Sequence, residues 1–177
     1  EGVKTPEEWL EILLNSVEVE RRRRAARILA ASPARHAELD KGFLRALQDK
    51  DYVVRTLAVQ TIGRWWGEAE QLHDPRLVKI LSILLNDPSP MVRGSVAATL
   101  GRADHPRAVP PLMKRLQKEN DPYAFRQLHR ALNRLSFAYI GIPLEGELDA
   151  ERMEALIRDW RAWYAANTIQ FRKYEDG

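Results

Sequence analysis

Histidine, cysteine, paired carboxylates and clustered arginine are the side chains from which this 177-residue chain would have to build a chemical site. Cysteine is absent, which excludes a thiolate nucleophile, a cysteine-ligated metal and a disulfide framework. The four histidines, His36, His73, His105 and His129, are too scattered to resemble a metal-binding motif. The adjacent acids Glu7 and Glu8 sit at a helix start, where the macrodipole accounts for them. A glycine-rich phosphate loop and a nucleophile elbow are both missing from the sequence. The expectation is a protein that is not an enzyme, with no cofactor and no metal.

Arginine and tryptophan offer recognition rather than catalysis. Arg21-Arg22-Arg23-Arg24 is the one dense cationic run, in a chain whose net charge is only +3. Such a run either meets phosphate or an acidic partner, or is the solvated side of a helix whose other face is Ala25, Ala26, Ile28 and Leu29. Runs this short are usually solvated surface. Arg21, Arg23 and Arg24 are kept as candidate partner contacts, and nucleic acid is not expected. Trp65 and Trp66 are neighbours on a helix, so their rings point about 100° apart and cannot share one core slot. Both are candidate partner contacts, because tryptophan is enriched at interface hot spots.

These side chains must be carried by helices. The chain is 45 % apolar and 30 % charged, a globular composition, and no apolar run approaches the roughly 20 residues that span a bilayer. A capping residue followed by proline recurs at Thr5-Pro6, Ser32-Pro33, Asp74-Pro75, Ser89-Pro90 and Asp121-Pro122, each a helix-start signal. Glu8 adds the capping-box spacing to Thr5. Apolar residues then recur every three or four positions, as in Leu77, Ile80, Leu81, Leu84 and Leu85, and no stretch alternates like a strand. The chain reads as all-α.

It also repeats itself. Leu14-Asn15-Ser16, Leu47-Gln48-Asp49 and Leu85-Asn86-Asp87 align, followed at one offset by Arg22, Arg55 and Arg93, then by Ala25, Ala58 and Val96. In a looser fourth copy, Phe125-Arg126 stands where Val54-Arg55 and Val92-Arg93 stand, and His129 replaces Val96 as a hydrogen-bonded structural histidine. Each copy is a helical hairpin that cannot bury its apolar face alone, so stacking four predicts an α-solenoid. The array is expected over 1–135, with copies at about 6–31, 33–66, 74–103 and 106–135. An apolar loop follows over 136–148, pinned under a cap helix at 149–166, and then an extended C-terminal arm at 167–177. Trp160, Trp163 and Tyr164 form the cap's apolar stripe. Ile169, Phe171 and Tyr174 on the arm are candidate partner contacts, because the cap is expected to close before Asn167.

Leu84–Gly101 and Leu47–Gly63 resemble HEAT repeats of the short bacterial, PBS-lyase-like type, and Asp159–Tyr164 resembles the tryptophan-rich helix that often closes such arrays. The resemblance implies a structural ladder in which turn residues Asp49 and Asp87 pair with Arg55, Arg93 and Arg126; the first copy carries Ser16 where the others have Asp. It also implies a non-catalytic protein–protein interaction module, an accessory, structural or assembly subunit of a larger complex. The alternative it offers is a nucleic-acid-binding protein such as an alkylated-base DNA glycosylase, with Arg64, Trp65, Trp66 and Arg21–Arg24 imitating a basic groove. Expected partners are other protein subunits or a second copy of the chain. The missing cysteine and the non-Met first residue favour an exported or periplasmic-type compartment over the cytoplasm.

Overall fold

The computed structural model describes residues 4–32, 37–68 and 75–174, apart from the side chains of 66–68, 75 and 173. His36, His73, Asp74 and the side chain of Trp66 therefore lie outside what is described. The described residues form nine α-helices and no strand: α1 (Pro6–Asn15), α2 (Val19–Ala31), α3 (Ala37–Ala46), α4 (Tyr52–Glu68), α5 (Pro75–Leu84), α6 (Pro90–Arg102), α7 (Val109–Leu116), α8 (Pro122–Ser136) and α9 (Ala150–Phe171). They divide into two compact units, Glu1–Ala69 and Glu70–Gly177. The first unit holds the hairpins α1/α2 and α3/α4; the second holds α5/α6, α7/α8 and α9.

Local chemistry explains where these helices begin. Thr5 and Glu8 form a reciprocal capping box on α1, with the Glu8 carboxylate 2.7 Å from the Thr5 N–H. Asp51 accepts from Val53 and Val54 at the head of α4, Asp121 from Ala124 at α8, and Asp149 from Arg152 at α9. Ser32 ends α2, its N–H donating to the Leu29 carbonyl, and the helix start read from Ser32-Pro33 lies outside the described residues.

The core is the inner seam of each unit. In the first, Leu13, Ala25, Ala26, Leu29, Leu39, Phe43, Val54, Ala58 and Ile62 are buried. In the second, α6 and α8 pack side by side. At Gly101 a Cβ would lie 2.9 Å from both the Cα and the Cβ of Ala131, so only glycine permits this approach.

The C-terminal region differs from expectation in two ways. The arm is not extended: α9 runs to Phe171 and continues as a 3-10 turn, Arg172–Tyr174. Phe171 is buried, its ring stacked on Tyr164 at 5.9 Å and tilted against Trp163 at 5.8 Å. The aromatic stripe of the cap therefore runs one helical turn beyond the predicted end and includes a residue assigned to partner binding. Nor is the loop after α8 buried under the cap, because Phe137, Tyr139 and Ile142 are exposed and only Leu148 is buried. It is held through its backbone instead. Gly141 takes φ +54° against Leu156, where a Cβ would lie 2.4 Å from that side chain.

Since Phe171 fills core space, Phe171→Ala should destabilise the protein by about 2–4 kcal/mol, the range for truncating a buried aromatic that leaves a partly collapsed cavity. Urea denaturation followed by circular dichroism checks this. An unchanged midpoint would return the residue to the surface.

Candidate functional site

Three arginines six residues beyond a hairpin turn make the same contacts. Arg22 Nη1 donates to the Ser16 and Val17 carbonyls at 2.9 and 3.3 Å. Arg55 Nη1 donates to Asp49 and Lys50 at 2.8 and 3.1 Å, and Arg93 Nη1 to Asp87 and Pro88 at 2.9 and 3.0 Å. Each guanidinium thus satisfies two carbonyls of the turn that joins the helices of its hairpin. In two places its remaining edge forks a carboxylate of the following hairpin. Arg22 grips Asp49 through Nε and Nη2 at 2.8 and 3.1 Å, and Arg93 grips Glu119 at 2.7 Å twice.

The acids hold their own turns as well. Asp49, Asp87 and Glu119 each accept from the backbone N–H two residues on, at 2.8, 2.8 and 3.0 Å. Ser16 does the same for the first turn with its hydroxyl, 3.2 Å from the Glu18 N–H. Glu119 was not singled out in the sequence, because it is Glu rather than Asp and lies in the looser copy. Its signal is its place two residues before the cap Asp121, matching Asp49 before Asp51. That frame also moves the fourth copy by one residue. Phe125, fully buried, occupies the arginine position, and His129 corresponds to Ala97 rather than Val96. Arg126 is therefore not a rung of the ladder. It donates to the Leu144 and Gly146 carbonyls at 2.7 and 2.8 Å and so ties down the loop before α9.

Burial pushes the Glu119 carboxyl up, but hydrogen bonds from Arg93, the Asp121 N–H and Arg115 outweigh it and bring the pKa down to about 2. Glu119→Gln should cost about 3 kcal/mol, because it leaves the buried Arg93 guanidinium without its counter-charge. Denaturant titration at neutral pH measures this. A cost below that of a typical surface substitution would show the pair to be dispensable.

The cap closes over a second polar cluster. The Trp160 indole N–H donates to His129 Nδ1 at 3.0 Å, so the proton of the neutral imidazole belongs on Nε2. Asn133 bridges His129 to the loop, its amide donating to the Ile140 carbonyl at 3.0 Å and its oxygen accepting from the Ile140 N–H at 2.7 Å. Burial lowers the His129 pKa to about 4, below its unfolded value of about 6.5. Between these values the unfolded chain binds the extra proton, so stability present above about pH 6.5 is lost as the pH falls through about 4. His129→Gln should flatten the urea midpoint over that window. A wild-type midpoint that is flat there already would contradict the burial of a neutral histidine.

The remaining candidates separate into engaged and available groups. Arg21 pairs with Glu18 at 3.0 Å yet stays largely exposed. Arg23 forks Asp51 at 2.9 and 2.6 Å, and this hydrogen bond holds the Asp51 carboxyl below its usual range. Arg24 lies 5.7 Å over the Trp9 ring, and Arg64 donates to the Ala30 carbonyl. Trp65 is only 4 % exposed and packs edge-on to Phe43 at 5.0 Å, so it is a core residue and not a partner contact. Of the residues that could imitate a glycosylase groove, Arg22, Arg23, Arg24, Arg64 and Trp65 are thus engaged internally, and Arg21 stays on the surface. Ile169 is exposed, and Tyr174 lies beside the groove described next.

That groove belongs to the second unit. It holds about 680 Å³ and is lined by α5, α7, the 3-10 turn Pro106–Ala108 that leads into α7, and Tyr164 and Tyr174 at the end of α9. Its base includes Val78, Leu85 and Met113, and Ile83 beside them is 70 % exposed. Lys79, Arg107, Lys114, Arg115 and Lys118 also line it, and among the described residues no carboxylate does. Among the described residues no group of three or more His, Asp or Glu is placed to hold a metal ion, and no helix is long and apolar enough to cross a membrane.

A family model of HEAT repeats matches residues 41–133, more than half of the chain, and the protein belongs to the HEAT-repeat family. No curated protein matches the sequence. HEAT repeats are generally protein-interaction modules, which makes the surfaces of the hairpins the place to look for function.

Proposed function

We propose that this chain is a non-catalytic protein–protein interaction module, serving as an accessory, structural or assembly subunit of a larger complex. The observation that carries the reading is the open groove of the second unit, where an exposed isoleucine stands beside cations that the ladder does not use. An apolar surface rimmed by polar and charged groups is characteristic of a site that a partner covers. Arg21 and Ile169 are further contact candidates because they remain exposed, and Tyr174 because it lines the groove.

Purification of the untagged protein from its native source, with mass spectrometry of what co-elutes, tests this. The expected outcome is a protein partner in fixed stoichiometry on gel filtration. Recovery of the free chain carrying hydrolase or glycosylase activity would overturn it.

A further inference from the structure

The groove of the second unit lies on the side of the first helices of its hairpins. The tightly packed seam, in contrast, belongs to the second helices, α6 and α8. On α5, Lys79 and Ile83 are one turn apart and so stand on one face; Lys114 lies on α7 and Lys118 in the turn that follows it. Arg115 is neutralised by Glu119, 3.1 Å away. Lys79, Lys114, Lys118 and Arg107 have no ion pair among the described residues. The Arg107 guanidinium lies 5.6 Å over the Tyr174 ring, and its buried Nε has no hydrogen-bond partner. Four unpaired cations around an apolar strip, with no lining carboxylate among the described residues, form a surface whose complement is negative at its edges and apolar at its centre.

Deepening the interaction-module reading, on which this rests, we propose that the groove binds an acidic, extended peptide segment of a partner protein. Its carboxylates lie over Lys79, Arg107, Lys114 and Lys118, and an apolar side chain packs on Ile83. A nucleic acid fits the same charges less well. Single strands bind by stacking bases on free aromatic faces, but one face of Tyr164 is stacked on Phe171 and one face of Tyr174 is covered by Arg107. The exposed isoleucine is likewise suited to a peptide side chain rather than to a phosphate backbone.

The test uses the full chain and a fluorescein-labelled octapeptide alternating Glu or Asp with Leu, read by fluorescence anisotropy at low and moderate salt. The controls are its Gln/Asn counterpart and a single-stranded oligodeoxynucleotide of similar length. The triple reversal Lys79→Glu, Lys114→Glu and Lys118→Glu changes only exposed, unpaired side chains. It should weaken octapeptide binding at least about tenfold, and Ile83→Asp should do so to a similar degree. A matched reversal at the exposed Arg130, Arg134 and Arg158 should leave binding unchanged. Equal binding by wild type and the Lys79/Lys114/Lys118 reversal, equal binding of the Gln/Asn peptide, or tighter binding of the oligonucleotide with no effect of Ile83→Asp would each overturn the proposal. Co-purification with the same reversal separates the two levels. Partners retained unchanged by the reversal refute the groove alone, whereas no partner with either protein refutes the interaction-module reading beneath it.

Discussion

The guanidinium seated in the hairpin turn is the interaction on which the rest of this protein depends. The last carbonyls of the first helix are taken by N–H groups of the turn, as Ala46 by Asp49 and Leu84 by Asp87, but the turn's own carbonyls are left open. Arginine six residues on reaches back to two of these carbonyls with one nitrogen, leaving the other edge of its planar fork for a carboxylate. When that carboxylate belongs to the next hairpin, one side chain closes its own turn and also sets the spacing to its neighbour. Apolar packing supplies most of the stabilisation, but it is non-directional. The clamp fixes the register in which the hairpins stack.

Both ends of this system depart from it for physical reasons. In the first turn a serine hydroxyl holds the backbone where the later turns use a carboxylate. In the last hairpin the arginine position becomes Phe125, packed parallel to His129. Where α6 carries Ala97 and Gly101 to admit a neighbouring helix, α8 carries His129 and Asn133. Their polar atoms meet an indole N–H and a loop backbone instead. A terminal repeat must bury a different surface from an internal one, and these substitutions are how the chain makes that change.

The same arrangement determines which charges remain for recognition. The densest cationic run, Arg21–Arg24, is largely engaged: Arg22 and Arg23 hold the next turn, and Arg24 lies on Trp9. Lys79, Lys114 and Lys118 have no ion pair among the described residues and gather around an apolar strip. Charge density along a sequence is therefore a poor guide to free charge on a surface, because acids from distant turns decide which arginines are neutralised.

Helical period, proline-led helix starts and the recurrence of an acid and an arginine at fixed offsets made the all-α class and the HEAT repeat legible in the sequence, since each is a local rule repeated several times. The cap residue Trp160 was legible for the same reason, an aromatic stripe at helical spacing. What only the tertiary structure decided involved residues distant in sequence. Glu119 gains its role from Arg93 twenty-six residues earlier, and Arg126 loses its expected one because the fourth turn's frame is set by Asp121. Trp65 is internal because Phe43 meets it, and Phe171 because α9 continues far enough to bring it onto Trp163 and Tyr164. The groove could not be read from the sequence at all, because its walls come from four separate segments whose side chains become neighbours only when the second unit folds.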